Sequence, residues 1–277
     1  MMDEIPRDHE WHYNPRVSTP DADSYRSRAS EASAATRNKR PDAIYDVPYG
    51  PGDNDRLDIF PGTPGGPAHI FLHGGYWRGR DKADYSYLAE TFNESGISLF
   101  VANYDLCPSV TLNDIVRQAR LCMDAFPGLA ANAGCDAGRL SASGHSAGAH
   151  LLAMCMAGGA PMPDKMKSVT LVSGIYDVSH VLGISINETI GLTRVDISPL
   201  SPLHLPLAVG RTVIDIVVGG DESAGWIAQS ALFAERCQKS GLDARLLVQP
   251  SENHFSIMES YGDPSHELAT RIVGLST

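Results

Sequence analysis

One twelve-residue stretch limits this chain more than any other: Arg139 to His150, which reads Arg-Leu-Ser-Ala-Ser-Gly-His-Ser-Ala-Gly-Ala-His. Its centre, Gly144-His145-Ser146-Ala147-Gly148, fits G-x-S-x-G, the pattern of a serine on a sharp strand-to-helix turn. Such a turn strains the backbone at the serine, and side chains at either flank would collide with the strand and the helix. Glycines at both flanks remove the collision and leave Ser146 Oγ standing above a sheet. The helix starting at Ala147 turns free N–H groups toward the serine, where a developing oxyanion would lie. The motif alone is common, so its surroundings decide. Leu140 to Ser143 is a short strand candidate weakened by its two serines, and Ala147 to Met156 has good helix propensity.

The rest of the chain supplies the alternation that such a turn needs. Ala43 to Tyr49 and Leu57 to Phe60 read as strands around the turn Pro51 to Asp55, an opening antiparallel hairpin. His69 to Leu72 is a short buried strand, Lys82 to Glu94 a helix, Ser98 to Asn103 a strand, and Thr111 to Phe126 an amphipathic helix stopped by Pro127. After the central motif come a strand at Ser168 to Val172, a β-branched strand at Thr212 to Val218, and a helix at Ala224 to Ser240. A strand at Ala244 to Val248 and a closing helix at Pro264 to Val273 end the series. This order predicts an α/β fold: a mostly parallel sheet with helices on both faces. Residues 1–40 are a polar leader in which Trp11 and Tyr13 suggest pinning onto the domain, with disorder as the competing reading. Residues 41–277 form one domain, and Tyr176 to Pro206 is a cap-like insertion over the site.

Composition narrows the partners. The chain has 277 residues with 22 basic and 33 acidic side chains, a formal charge of −11 that repels phosphate backbones and makes nucleic acid an unexpected partner. No apolar run could span a bilayer, so no membrane association is expected. Met1 to Asp8 lacks the basic and apolar regions of a secretory signal, which leaves the cytoplasm as the expected location. Five scattered cysteines argue against a disulfide framework and a zinc knuckle, with Cys122 and Cys155 read as packing residues. A homodimer is compatible with the sequence, which does not fix the oligomeric state.

A serine hydroxyl needs a general base, itself oriented by a carboxylate. In this architecture the order is Ser, then Asp or Glu, then His, on loops after late strands. Asp221 follows the Thr212 to Val218 strand and His254 follows Ala244 to Val248, both at carboxyl ends where ligands bind. Glu222 is the rival acid, read instead as leading into the next helix, and Asp215 lies too far back in its strand. Of the other histidines, His266 reads as surface, His145 as beside the pocket, His150 as packed, and His180 and His204 as cap residues within reach of substrate. The loop His73-Gly74-Gly75-Tyr76-Trp77, directly after a strand, brings backbone N–H groups toward a reacting oxygen.

With these residues in place the chain resembles the α/β-hydrolase superfamily, and within it the kynurenine formamidase (arylformamidase) group and its bacterial relatives. The likeness rests on H-G-G-x-W at His73 to Trp77 together with Gly-His-Ser-Ala-Gly. Glu10 to Arg16, Asn187, Gly191-Leu192 and Ser201-Pro202-Leu203 extend it over most of the chain. The resemblance implies a catalytic Ser146, His254 and Asp221, and an oxyanion hole from the N–H groups of Gly75, Tyr76 and Ala147. It also implies hydrolysis through an acyl-enzyme without metal or organic cofactor, and a substrate such as N-formylkynurenine, an intermediate of tryptophan catabolism. Trp77, His145 and Asn187 are the expected substrate contacts. A carboxylesterase for small acyl esters is the alternative activity, and a non-catalytic ligand-binding protein on the same fold the alternative class.

Overall fold

The computed structural model describes residues 9–158, 166–208 and 210–277. Eight strands form one sheet in the order β1-β2-β4-β3-β5-β6-β7-β8. They are β1 (Ile44–Pro48), β2 (Arg56–Phe60), β3 (Ala68–Leu72), β4 (Ser98–Ala102), β5 (Leu140–His145), β6 (Met166–Val172), β7 (Val213–Gly219) and β8 (Asp243–Gln249). The β1–β2 and β2–β4 pairs are antiparallel and the rest parallel. This is the α/β-hydrolase fold. The expected strands all form, each within about two residues of its sequence bounds.

Continuous burial along β3, β4 and β5 is what a sheet covered on both faces requires. Alternate residues feed two apolar layers: Ile70, Leu72 and Phe100 on one face, Phe71, Leu99 and Val101 on the other.

The helices in chain order are α1 (His9–Tyr13), α2 (Pro15–Ser18), α3 (Ala22–Lys39), α4 (Ala89–Asn93), α5 (Leu112–Asn132), α6 (Ala147–Met156), α7 (Asn187–Ile190), α8 (Ile197–Leu200), α9 (Ala224–Lys239), α10 (Ser256–Gly262) and α11 (Glu267–Ser276). The described residues also include three 3₁₀ turns, Lys82–Leu88, Val178–Gly183 and Pro202–His204. Among the described residues no helix is long and apolar enough to cross a membrane.

Three readings of the sequence change here. Pro127 does not stop α5, which runs on to Asn132. Phe126 and Ala130 lie four residues apart on one fully buried face, and their packing carries the helix through a residue that usually costs about 3 kcal/mol in such a position. The closing helix starts at Glu267 rather than Pro264, with His266 Nδ1 capping it by accepting from Leu268 N at 3.2 Å. Helix α10, absent from the sequence reading, fills the space between the His254 loop and α11.

The serines of β5 also find their reason. His69 on β3 is paired in register with Ser141, and its Nδ1 and Nε2 meet Ser141 Oγ and Ser143 Oγ, each at 2.7 Å. Tyr261 Oη joins Ser143 Oγ at 2.5 Å. A polar ladder inside the sheet satisfies every member, so the serines replace aliphatic residues without orphaning a polar group. Burial pushes the His69 imidazole down to about 3, and it stays neutral.

Candidate active site

Ser146 sits between β5 and α6 at φ 54°, ψ −116°, a strained conformation for any residue with a side chain. Its N–H donates to Val172 O at 2.8 Å, which ties the turn to the end of β6. Close approach explains the second glycine of the motif: a Cβ on Gly148 would lie 2.0 Å from the Leu72 carbonyl oxygen. The same packing sets the His73 to Trp77 loop against the serine, since a Cβ on Gly74 would lie 3.2 Å from Ser146 Cβ. Gly75 takes φ 116°, open only to glycine, and Tyr76 and Trp77 follow with positive φ. Gly75, Tyr76, Ser146, His145 and His254 all border one cavity of about 270 Å³.

His254 is fixed from two sides. Its carbonyl oxygen accepts from His145 Nε2 at 2.9 Å, and its Nδ1 meets Glu222 Oε2 at 2.8 Å. Trp226 stands edge-on to the imidazole, ring centres 4.6 Å apart. The other oxygen of Glu222 accepts from Ser173 Oγ at 2.5 Å and Gly219 N at 2.8 Å. Both side chains of the pair are nearly inaccessible, at 5% and 2% exposure. Three hydrogen-bond donors hold this buried carboxylate in place. An imidazole whose Nδ1 is held in this way presents Nε2 as the free base.

The acid on the histidine is therefore Glu222 and not Asp221. The β7 and β8 loops are laced together by Gly220 N to Gln249 O and Asp221 N to Glu252 O, at 2.7 and 2.9 Å. In that turn Asp221 faces solvent while the next side chain points inward. Asp215 is a structural residue, fully buried and clasped by Arg271 with two bonds of 2.6 and 2.9 Å.

Two expected substrate contacts do not reach the cavity. Trp77 is wholly buried, its ring edge-on to His150 at 4.8 Å, and forms part of the core beneath the loop. Asn187 clamps its own loop, with Oδ1 accepting from Leu192 N and Nδ2 donating to Leu192 O. His180 stacks on Tyr13, ring centres 4.0 Å apart, and His204 reaches Asp177. His145 does border the cavity, with Nδ1 buried and without a hydrogen-bond partner among the described residues. Burial lowers its pKa well below the usual histidine value, and the neighbouring His254 adds to the effect.

The N-terminal segment supplies a wall that the sequence reading left out of the site. Tyr76 Oη donates to the Tyr13 carbonyl, and Ser223 Oγ donates to His12 O at 2.5 Å. Glu10 accepts from Ser185 N and Oγ at 2.6 and 2.7 Å, joining the segment to the 176–206 region. Asn14, Pro15, Arg16 and Arg26 thereby border the cavity.

No family model matches this chain. It is similar to kynurenine formamidase of Danio rerio, 27% identical over 95% of this chain and 93% of that protein. The same enzyme of Salmo salar is 29% identical over 81% and 79% of the two chains. Among solved structures, a "putative thioesterase" from Silicibacter sp. TM1040 superposes with a TM-score of 0.83 at 26% identity, covering 97% of this chain and 98% of that one. An esterase of Mycobacterium marinum gives 0.70 at 18% identity, covering 92% and 86%, a likeness of fold.

Proposed function

We propose that this chain is a serine hydrolase of the arylformamidase type, cleaving an N-formyl arylamine such as N-formylkynurenine to formate and the free amine. Ser146 Oγ attacks the formyl carbon while His254 Nε2 takes its proton, and Glu222 stabilises the imidazolium through Nδ1. The N–H groups of Gly75, Tyr76 and Ala147 receive the oxyanion. The C–N bond then breaks as His254 returns the proton to the departing amine. Water, activated by the same imidazole, releases formate from the formyl-serine.

One observation carries the reading: His254, bonded through Nδ1 to the buried Glu222, borders the same cavity as a strained serine on a strand-to-helix turn. The similarity to kynurenine formamidases over most of the chain supports the formyl substrate. Five free thiols fit a reducing, cytoplasmic setting.

Ser146→Ala and His254→Ala should each abolish turnover with the circular dichroism spectrum unchanged, and a fluorophosphonate probe should label the wild type alone. Near-wild-type hydrolysis by either variant sinks the mechanism, and an unlabelled folded wild type favours a ligand-binding role. A carboxylesterase is the second reading, favoured by the esterase-like neighbours and by a cavity roomier than a formyl group requires. The ratio of kcat/KM for N-formylkynurenine to that for p-nitrophenyl butyrate separates the two: a ratio far below one leaves the esterase.

A further inference from the structure

Two adjacent carbonyls of the N-terminal segment receive hydroxyls from the two loops that carry the reaction. Tyr76 Oη, on the loop after β3, donates to Tyr13 O. Ser223 Oγ, directly after Glu222 in the chain, donates to His12 O at 2.5 Å. Both carbonyls lie at the end of α1, where a helix leaves its acceptors without partners of its own. The segment is anchored on its other side as well. Glu10 accepts from Ser185 N and Oγ and from Asn14 Nδ2, the last at 2.6 Å, and His9 Nε2 donates to the His180 carbonyl at 2.7 Å. The Tyr13 ring lies flat on His180, and a Cβ on Gly225 would lie 2.9 Å from Tyr13 Cζ, so the ring is wedged between the 178–183 turn and the start of α9.

Tyr76 needs such an anchor. Its backbone takes φ 51°, a conformation that persists only where the surroundings over-determine it. Gly75 before it, at φ 116°, is too permissive to hold the turn alone. Burial raises the Tyr76 phenol well above its ordinary pKa, so the hydroxyl stays a donor. The ring stands edge-on to Trp226, centres 6.2 Å apart, and Trp226 in turn stands edge-on to His254.

We propose that Tyr76 is a positioning residue: its hydroxyl, fixed on the Tyr13 carbonyl, aims the N–H groups of its loop at the oxygen of the carbonyl that Ser146 attacks. Through His12 and Tyr13 the N-terminal segment sets the spacing between that loop and the Glu222–His254 pair. The inference rests on the serine-hydrolase reading of Ser146. Such a contact acts on rate rather than on binding, because an oxyanion donor is felt fully only in the transition state.

Tyr76→Phe in the full chain removes the hydroxyl and keeps the ring. With N-formylkynurenine and p-nitrophenyl acetate, kcat should fall about tenfold while KM stays within about twofold. Phenyl trifluoromethyl ketone reads the oxyanion directly: Ser146 Oγ adds to its carbonyl carbon, the serine proton passes to His254, and the carbonyl oxygen becomes the oxyanion. Its inhibition constant should rise by the factor that kcat loses. Tyr13→Ala, which frees the carbonyl by removing the wedged ring, should give a similar loss, and the double variant should lose no more than either alone. Unchanged kcat and ketone affinity in Tyr76→Phe, with only the urea midpoint lowered, overturns the proposal, as does an effect on KM alone or additive losses in the double variant. Failure of the hydrolase reading looks different: the wild type itself would turn over neither substrate and bind no ketone, and this proposal would fall with it.

Discussion

The cavity has two walls built on opposite terms. On the β5–α6 side no residue from Leu140 to Met156 is exposed, and the shape is set by backbone against backbone, as at Gly148 on the Leu72 carbonyl. On the N-terminal side α3 buries only Ala22, Ser33 and Thr36. It is held by polar groups: Arg37 to Asp58 at 2.6 Å, and Ser30 to Asp84 at 2.9 Å. The first wall tolerates no added atom, whereas the second tolerates exchange of one polar contact for another. Positioning a nucleophile requires the former, and admitting a ligand requires only the latter.

The sharpest break in the comparison is Gly148→Ala. Its methyl carbon would overlap the Leu72 carbonyl, which belongs to a central strand and cannot yield. We expect a loss of about 3 kcal/mol or more, read by urea unfolding, together with loss of activity. A variant of wild-type stability would show that the elbow wall is not rigid.

Next comes the pair Glu222→Gln and Asp221→Asn. The first leaves His254 Nδ1 facing an amide and should cut kcat by roughly 10³–10⁴-fold. The second alters a solvent-facing side chain and should leave kcat within about twofold. Equal effects would return the acid role to open question.

Acid should then find the sheet side first. His69 and His150 are driven by burial to about 3 and about 4, and His73 and His145 are lowered by the same cause. Each stays neutral in the fold, while the unfolded chain takes up protons as pH falls through about 6.5. Protonation therefore favours unfolding, and stability declines on acidification between about pH 6.5 and 4, by at most about 1.4 kcal/mol per pH unit for each histidine. Urea midpoints at pH 7.5 and pH 5 measure it, and an unchanged midpoint refutes it.

The smallest effect belongs to the N-terminal wall. Arg37→Ala takes one partner from Asp58, which is fully buried but keeps Lys82 Nζ at 2.8 Å. A loss of about 1–2 kcal/mol in urea unfolding is expected. A loss as large as that of Gly148→Ala would erase the distinction between the walls.

What sequence could reveal follows the same division. The strands, the serine turn and the two late loops were legible because apolar runs and paired glycines record local backbone demands. Asp221 and Glu222 are adjacent, and which one turns inward depends on hydrogen bonds between the β7 and β8 loops, a non-local matter. Ser223, capping α9 by accepting from Trp226 N, was the one local signal that Glu222 ends the turn rather than begins the helix. Trp77 and Asn187 were misjudged for a related reason: a side chain near a site in sequence can serve its own loop. Ser141 and Ser143 looked like flaws until the register with His69 was known. The tie between Tyr76 and Tyr13 was illegible because the two lie 63 positions apart and meet only through the fold.

The polar seating of α3 has an evolutionary consequence. A segment that borders the cavity yet shares little of the core can be inherited on its own terms. Exchange of residues 22–39 between two chains of this fold should alter the cavity's outer border while leaving the serine turn to the recipient. Lineages could diversify by recombination at this margin without revisiting the sheet.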